Sequence, residues 1–510
     1  MTSPVRIVHI SDAHITTRPQ FIPRDYNSII ETMKHIPHDF CIFTGDLTQD
    51  GLRQDYELAN DLRTLIPSEK IYWIIGNHDS KNGGSDVWEE TVGPREFFEV
   101  TDDILLVGLD SCVPDRDEGR FGREALDYAK KILSKYGEDK IKIVAFHHHL
   151  LPIAKTGRER SNAVDAGDML SLLLDYGVDA VFTGHKHHPN VSKVEDTIII
   201  SAGTMSSYKT RSGGPRTFNY VEITPKEDVK VQIRDIKGSV LLQEVKTITR
   251  RFRMVNSAGG VWLRIAQISG TDIGTVWKPN EMLLEKGLEL VKFTNPNLIV
   301  HCGNLTSKGR TTDYEKAVKI IKELNSDYVL CPGPNDLKGY GETLLNKYFD
   351  FDRIIEKENS DFYIVNTSSP ETEKGVVGRT TLNRLMRHVF SERAKEAGKF
   401  HTAIMHHHII PIPLTRETSA LEDAGDVLKA ITEAGVNLVL SGHLGRTFCT
   451  RVEKTIFVNC NTLSSQFTAS LENSFNLIDI STDGAIVVSE IHVPSGFRNI
   501  TGIFPGIQTV

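Results

Sequence analysis

Five short clusters of carboxylate, imidazole and amide side chains interrupt the first half of this 510-residue sequence. They lie in the segments SDAH, TGDLT, GNHD, FHHHL and TGHKH, each directly after an apolar run. The candidate polar residues in these clusters are Asp12, His14, Asp46, Asn77, His78, Asp79, His147, His185 and His187. Mixed oxygen and imidazole donors suit Zn, Mn or Fe, whereas Ca and Mg favour oxygen cages. The pattern therefore predicts a transition-metal centre.

The apolar runs before the clusters predict the elements that position them. Runs such as VRIVHIS, DFCIFTG and IKIVAFH are typical of strands buried on both faces, and DYELANDLRTLI is typical of an amphipathic helix. Their alternation predicts an α/β fold with mainly parallel strands, whose carboxyl ends gather ligands at one edge of the sheet. If the strands continue through the clusters, Asp12 and His14 point the same way, as do His185 and His187, and each pair could chelate one ion.

The second half of the chain repeats the first. GDLTQDG at 45–51 matches GNLTSKG at 303–309, an offset of 258 (303 − 45), and FHHHLLPI at 146–153 matches MHHHIIPI at 405–412. Ordered matches at nearly one offset indicate duplication of a whole domain, because solenoid repeats are about 20 to 50 residues long. We predict domains at 1–240 and 261–510, joined by a linker at 241–260, although an extra strand pair between the copies is the alternative.

In this order, the clusters resemble the signature of the calcineurin-like metallophosphoesterases, which runs DxH, GD, GNH[D/E], H and GHxH. The resemblance implies two tandem four-layer α/β/β/α sandwiches, with two divalent ions (Mn, Fe or Zn) in the first. It assigns one ion to Asp12, His14, Asp46 and His187, and the other to Asp46, Asn77, His147 and His185. Asp46 would bridge the ions, and a metal-bound hydroxide would attack phosphorus. His78 would be the general acid or transition-state donor, oriented by Asp79.

The second copy keeps the frame of this pattern but lacks most of its donors. The matching positions hold Gly270 for Asp12, Asp272 for His14, Asn304 for Asp46, Pro334 for Asn77, Asn335 for His78 and Gly445 for His187. We therefore predict a degenerate domain with a structural or regulatory role. By analogy with homodimeric relatives, it would take a partner's place within one chain; a homo-oligomer is the other arrangement. Binding of a single metal through Asp272, His406 and His443 stays open.

Within the superfamily, GDLTQDG, GNHD and HHHLLPI look most like the class III cyclic-nucleotide phosphodiesterases. This likeness implies hydrolysis of phosphodiesters such as 3′,5′-cyclic nucleotides. The alternatives are a broad phosphomonoesterase, a nuclease, and a nucleotide-binding sensor or scaffold, although an intact first cage argues against the scaffold. Some basic residues could contact a phosphate, but for them we expect a solvated loop: Arg158, Arg160, Lys209, Arg211 and Arg216.

Composition disfavours several other classes of protein. The chain has 59 Lys and Arg against 67 Asp and Glu, a net charge of −8, and no long basic run, so a nucleic-acid partner is not expected. No apolar run reaches the roughly 18 residues of a membrane-spanning helix, and MTSPVRIVHISDAH does not resemble a secretory signal. The six cysteines have no CxxC spacing, which favours reduced thiols. We expect a cytoplasmic enzyme that acts on a small phosphoester.

Overall fold

Strands that are apolar on both faces organise each half of the chain. In the first strand, Ile7 joins a core that also contains Ile42 and Ile143, whereas its neighbour Val8 joins a separate core with Tyr26. A strand of this kind must be covered on both sides. The sequence therefore requires a further layer, of helices or of a second sheet, on each face of this strand.

The computed structural model describes residues 4–136, 139–157, 163–225, 227–248, 259–349, 354–357, 359–370, 372–395, 398–415 and 421–506. The chain divides into two compact units, Met1–Arg251 and Phe252–Val510. Arg158, Arg160 and residues 249–258 of the predicted linker lie outside the described residues. Across the described ranges, no helix combines the length and apolarity needed to cross a membrane.

Twelve strands of the first unit form two six-stranded sheets. The strands are β1 (Val5–Ile10), β2 (Phe40–Thr44), β3 (Ile71–Ile74), β4 (Phe97–Val100), β5 (Ile104–Gly108), β6 (Ile141–Ala145), β7 (Ala180–Thr183), β8 (Asn190–Val194), β9 (Thr197–Ser201), β10 (Thr217–Ile223), β11 (Asp228–Asp235) and β12 (Val240–Thr247). One sheet has the order β12-β11-β10-β1-β2-β3, and the other β8-β9-β7-β6-β5-β4. The strands β1, β2 and β3 are parallel to one another, as are β5, β6, β7 and β9.

Five helices complete the layers of the first unit. They are α1 (Pro23–Met33), α2 (Arg53–Arg63), α3 (Gly84–Thr91), α4 (Gly122–Lys135) and α5 (Ala166–Asp175). Tyr26, Tyr56 and Trp88 of the first three helices pack against Val8 and Phe43 on the outer face of the first sheet. The helices α4 and α5 pack against each other and bury apolar faces. The predicted α/β/β/α layering is confirmed.

The second unit repeats this architecture. Its strands are β13 (Val261–Ile268), β14 (Leu298–His301), β15 (Asp327–Leu330), β16 (Ile354–Glu356), β17 (Ser360–Ile364), β18 (Phe400–Ile404), β19 (Leu438–Ser441), β20 (Phe448–Val452), β21 (Thr455–Asn459), β22 (Asn473–Ser481), β23 (Ile486–Val493) and β24 (Arg498–Phe504). Its helices are α6 (Pro279–Phe293), α7 (Thr311–Lys322), α8 (Gly341–Tyr348), α9 (Arg379–Lys395) and α10 (Ala424–Ala434). Within this unit the strands are ordered β15-β14-β13-β22-β23-β24 and β16-β17-β18-β19-β21-β20.

The start of the predicted linker belongs to a sheet. Residues Val240–Thr247 form β12, which pairs antiparallel with β11 from Asp228 to Arg234. This strand lies at the edge of its sheet and leaves Leu241 and Leu242 about half exposed, at 50% and 46%. Its sequence lacks the alternation that marks a half-buried strand, which explains why pattern analysis placed these residues in a linker.

Candidate metal centre

The predicted ligands follow β1, β2, β3, β6 and β7, and five of the seven occupy left-handed backbone. The φ angles are 55° at Asp12, 51° at His14, 55° at Asp46, 72° at His185 and 51° at His187. Because β1 ends at Ile10, strand alternation does not orient Asp12 and His14, contrary to our expectation. Instead, the backbone N–H of Asp12 donates to Gly45 O and that of His14 to Asp46 O, both at 2.9 Å. Each left-handed non-glycine residue costs about 1–3 kcal/mol, and such strain concentrates at functional sites.

The first predicted ligand set converges on one point. One donor atom from each of Asp12, His14, Asp46 and His187 lies within 4.8 Å of the other three. The Nε2 atom of His14 lies 2.9 Å from Nε2 of His187 and 3.4 Å from Oδ2 of Asp46. The Nε2 atom of His187 lies 3.2 Å from Oδ1 of Asp12.

The side chains of the second predicted ligand set also lie close together. The amide oxygen of Asn77 lies 3.0 Å from Nε2 of His147 and 3.0 Å from Nδ1 of His185. The same Nε2 of His147 is 3.4 Å from Oδ1 of Asp46. Asp46 therefore presents one carboxylate oxygen to each set, and the two sets share this residue.

The histidines around Asp46 stabilise its ionised carboxylate. Burial alone would raise the pKa of its carboxyl, but His147, His78 and His14 hold that pKa well below its usual range. Burial would likewise lower the pKa of His147, yet the Asp46 and Asp12 carboxylates raise it to about 9. For His14 and His185 burial prevails and keeps their pKa values well below the usual range, so their imidazoles are neutral with lone pairs available.

The donor set fits a cation. The Nδ1–H of His147 donates to Thr44 O at 2.7 Å, and the Nδ1–H of His187 donates to Lys209 O, because a carbonyl can only accept. Both rings therefore turn Nε2 toward the carboxylates, and that nitrogen can ligate a cation in exchange for its proton. The Oδ1 atom of Asp12 is fully buried without any hydrogen-bond donor among the described residues. Acceptors that face one another in a buried space require a positive charge between them.

Among the three consecutive histidines, His147 contacts Asn77 and Asp46, whereas His148 is held by other groups. Both nitrogens of His148 are occupied: Nδ1 lies 2.9 Å from Oγ of Ser111, and Nε2 lies 3.1 Å from Asp117 O. His148 nevertheless packs against His185, with 4.6 Å between the ring centroids. It therefore supports a predicted ligand without acting as one.

His78 and Asp79 have separate surroundings. The Nδ1–H of His78 donates to Gln49 O at 2.6 Å, and Lys81 Nζ lies 3.3 Å from its Nε2. Asp79 does not orient this ring: its carboxylate accepts the backbone N–H groups of Leu47, Thr48 and Gly76 at 2.7–3.0 Å and the Thr48 hydroxyl at 2.9 Å. Burial, followed by the nearby Asp46 carboxylate, raises the pKa of Asp79 to about 7. The contacts of Asp79 thus join the loops after β2 and β3, and the Gln49 carbonyl holds His78.

A cleft of about 180 Å³ opens over both ligand sets. Its lining includes His78, Asp117, Lys209 and Arg211. Lys209 and Arg211 are thus part of the cleft, although the sequence favoured a solvated loop. Arg216 differs, because its guanidinium pairs with Asp25 at 2.9 Å and donates to Ser207 O at 2.8 Å.

The model of one protein family matches the chain twice. This family is the calcineurin-like phosphoesterases, and the matches cover residues 5–189 and 264–446. The chain belongs to the calcineurin-like phosphoesterase family. The resemblance drawn from the sequence is confirmed, and the protein is a metal-dependent phosphoesterase.

Individual relatives match about two fifths of this phosphoesterase. A probable glycerophosphodiester phosphodiesterase from Arcobacter nitrofigilis is 29% identical over 223 residues, which are 39% of this chain and 78% of that protein. A 3′,5′-cyclic adenosine monophosphate phosphodiesterase from Vibrio vulnificus is 24% identical over 220 residues, 41% of this chain and 79% of the relative. Among solved structures, a purple acid phosphatase from yellow lupin has a TM-score of 0.40 at 15% identity and covers 48% of this chain and 54% of that one.

The second phosphoesterase unit keeps the backbone of the centre but lacks most of its ligands. Its matching positions again have positive φ: 57° at Gly270, 42° at Asp272, 58° at Asn304, 76° at His443 and 58° at Gly445. Two of the five are glycines, for which this conformation carries no strain. The left-handed loop geometry is therefore a property of the fold and does not depend on the metal ligands.

Asp336 repeats every contact of Asp79. It accepts the backbone N–H groups of Leu305, Thr306 and Gly333 at 2.7–3.2 Å and the Thr306 hydroxyl at 3.0 Å. Burial raises its pKa to about 6. Because these bonds persist where most ligands are lost, they indicate that this aspartate holds loops together in both units.

The histidines retained in the second unit form an incomplete group. His406, His407 and His443 offer nitrogens within 4.8 Å of one another. His407, however, uses Nδ1 on the Thr367 hydroxyl and Nε2 on Glu373 O, as His148 does in the first unit. Asp272 is not part of this group in the described chain, and its Oδ2 accepts a hydrogen bond from Ser465.

Matched histidine pairs test which unit binds metal. We expect His147→Ala with His185→Ala to remove metal that survives dialysis, because Asn77 and Asp46 would remain alone on that side. The matched change, His406→Ala with His443→Ala, should leave metal content and turnover as in wild type. Elemental analysis of dialysed protein measures both, and metal lost equally from the two double variants would contradict this assignment.

Proposed function

We propose that the first unit hydrolyses phosphodiesters with two divalent metal ions, one in each ligand set. The observation that carries this proposal is the Asp46 carboxylate, whose Oδ2 lies 3.4 Å from His14 Nε2 and whose Oδ1 lies 3.4 Å from His147 Nε2. A carboxylate that faces two imidazole groups from opposite oxygens suits a bridge between two cations. The donors suit Mn, Fe or Zn.

Bound in these sets, two cations would offset charge on the phosphoryl oxygens and lower the pKa of water. The chain's own residues orient the reaction. Asp12 ties the two sets together, because its Oδ2 accepts the backbone N–H of His185 at 3.1 Å. The backbone N–H of His78 donates to Asp46 Oδ1 at 2.8 Å and holds that carboxylate in its bridging position.

His78 supplies the proton for the leaving group in this proposal. Its Nδ1 is fixed by the Gln49 carbonyl, so Nε2 is the nitrogen available to the cleft that the ring lines. Protonated on both nitrogens, the ring can keep its bond to Gln49 and donate from Nε2. Lys81 Nζ lies 3.3 Å from Nε2 and 3.5 Å from Asp117 Oδ1, so it adds a second donor on the same side.

The relatives support a diester as the substrate. Two of them carry names for phosphodiesterases of glycerophosphodiesters and of 3′,5′-cyclic adenosine monophosphate. We propose a small phosphodiester of this kind, with 3′,5′-cyclic nucleotides as the first candidates. For the second unit, which has Asn304 in place of the bridging carboxylate, we propose a role without catalysis.

Removing the bridging charge should stop the reaction. Asp46→Asn is expected to abolish turnover of bis(p-nitrophenyl) phosphate and of 3′,5′-cyclic AMP, because an amide cannot offset two cations. The reverse change in the second unit, Asn304→Asp, is the control and should change neither activity nor metal content. Two bound metals with near-wild-type rates in Asp46→Asn would refute the bridge, and a wild type that cleaves only monoesters would refute the diester.

Loss of His78 should depend on the leaving group. His78→Ala is expected to lower kcat by about 10²- to 10⁴-fold for an alkyl leaving group, the usual span of general acid catalysis, and less for p-nitrophenol. Metal content should not change, and Asn335→Ala at the matching position of the second unit is the control. Equal losses for both leaving groups would show that His78 does not protonate the leaving oxygen.

A further inference from the structure

Two basic side chains line the cleft without a carboxylate partner among the described residues. Lys209 and Arg211 form no ion pair with any residue that the structure describes, although both face the space above the ligand sets. Other basic residues nearby are paired: Arg216 with Asp25 at 2.9 Å and Arg18 with Asp50 at 2.7 Å. Positive charge is thus kept unneutralised on one side of the cleft.

The loop that carries them is held rigidly beside a predicted metal ligand. Lys209 O accepts the Nδ1–H of His187, and Lys209 N donates to the Ser207 hydroxyl at 3.3 Å. Arg216 donates to Ser207 O, and Tyr208 N donates to Gln20 O at 2.7 Å. The contact with Lys209 O lies on the side of the His187 ring away from the carboxylates, since the Nε2 of this ring faces Asp12. Lys209 and Arg211 therefore lie outside the two ligand sets.

The second unit shows what the same loop becomes without a metal centre. At the offset of 258 residues, Lys209 is matched by Phe467 (209 + 258) and Arg211 by Ala469. The backbone correspondence is close, because a Cβ added to Gly445, the counterpart of His187, would lie 2.6 Å from Phe467 O. The second unit therefore lacks both basic side chains as well as most of the predicted metal ligands. The loop also lies beyond residues 5–189, so the match to the family does not account for it.

We propose that Lys209 and Arg211 bind a second anionic group, a phosphate or carboxylate, on one of the ester substituents of the substrate. This inference rests on the proposed phosphodiesterase function of the same cleft and narrows its substrate: a 3′,5′-cyclic mononucleotide has no second anionic group, so these side chains favour a diester that carries one. The scissile phosphate would lie over Asp46 and His78, whereas Lys209 and Arg211 belong to the segment on the far side of His187. A guanidinium binds phosphate or carboxylate through paired hydrogen bonds, and the ammonium adds a point charge.

A matched pair of chromogenic substrates tests the proposal. These are the p-nitrophenyl ester of thymidine 5′-phosphate and the same ester with an added 3′-phosphate. Wild type should favour the 3′-phosphorylated ester, and Lys209→Ala with Arg211→Ala should lower that preference in kcat/KM by about 10-fold or more, as expected for charge-assisted hydrogen bonds. Lys209→Arg with Arg211→Lys should restore most of it. The control, Lys130→Ala with Lys131→Ala on α4, removes two exposed charges elsewhere and should leave the preference unchanged.

A binding measurement separates this inference from the proposed function. Calorimetry on EDTA-treated protein should show tighter binding of thymidine 3′,5′-bisphosphate than of thymidine 5′-phosphate, and the alanine variant should lose this difference. If neither ester is cleaved but the binding difference is found, the proposed function fails, while the binding of an anionic group by Lys209 and Arg211 is supported. An equal loss on both esters would place the cations at the scissile phosphate and overturn the inference, as would an unchanged preference.

Discussion

The shared carboxylate of Asp46 is the interaction on which the rest of the first unit depends. A buried carboxylate is costly unless opposite charge and hydrogen bonds surround it. Around Asp46 these are His14 on one oxygen, His147 on the other, and the backbone N–H of His78. The convergence of two parallel sheet segments brings these groups together, because Asp46 follows β2, its neighbours follow β1 and β3, and His147 follows β6. The same site demands cations, which links the fold to phosphoester chemistry.

The duplicated unit separates the requirements of the fold from those of the reaction. Left-handed backbone persists at all five matching positions, and Asp336 keeps the loop bonds of Asp79. What changes is the set of metal donors. Gly270 and Gly445 have no ligand side chain and adopt positive φ without strain. Asn304 still accepts the backbone N–H of Asn335 but carries no charge. Asp272, Asn304 and His443 keep the left-handed conformation although most ligands are lost. This backbone therefore belongs to the fold, and at two of its positions glycine adopts it without strain.

The ordered spacing of the motifs predicted the family, and the layers followed from that resemblance. The side chains predicted as ligands lie close together, because parallel strands bring their carboxyl ends to one edge of the sheet. The orientation of Asp12 and His14 was argued from strand alternation, which fails beyond Ile10, where positive φ turns the chain. Orientation of His78 was attributed to Asp79, since adjacency in sequence does not reveal that the Asp79 carboxylate turns toward backbone amides. Lys209 lies far along the chain from most ligands, and only the fold places it beside His187.

The most direct test of the account is anomalous diffraction from crystals of the full chain grown with Mn²⁺, recorded near the manganese absorption edge. The account predicts two peaks in the first unit, about 3.5–4 Å apart as in other two-metal sites, one against each oxygen of Asp46. It predicts none between His406 and His443. A single peak in the first unit, or a peak of equal height at the second-unit histidines, would contradict the shared carboxylate as the centre of the chemistry.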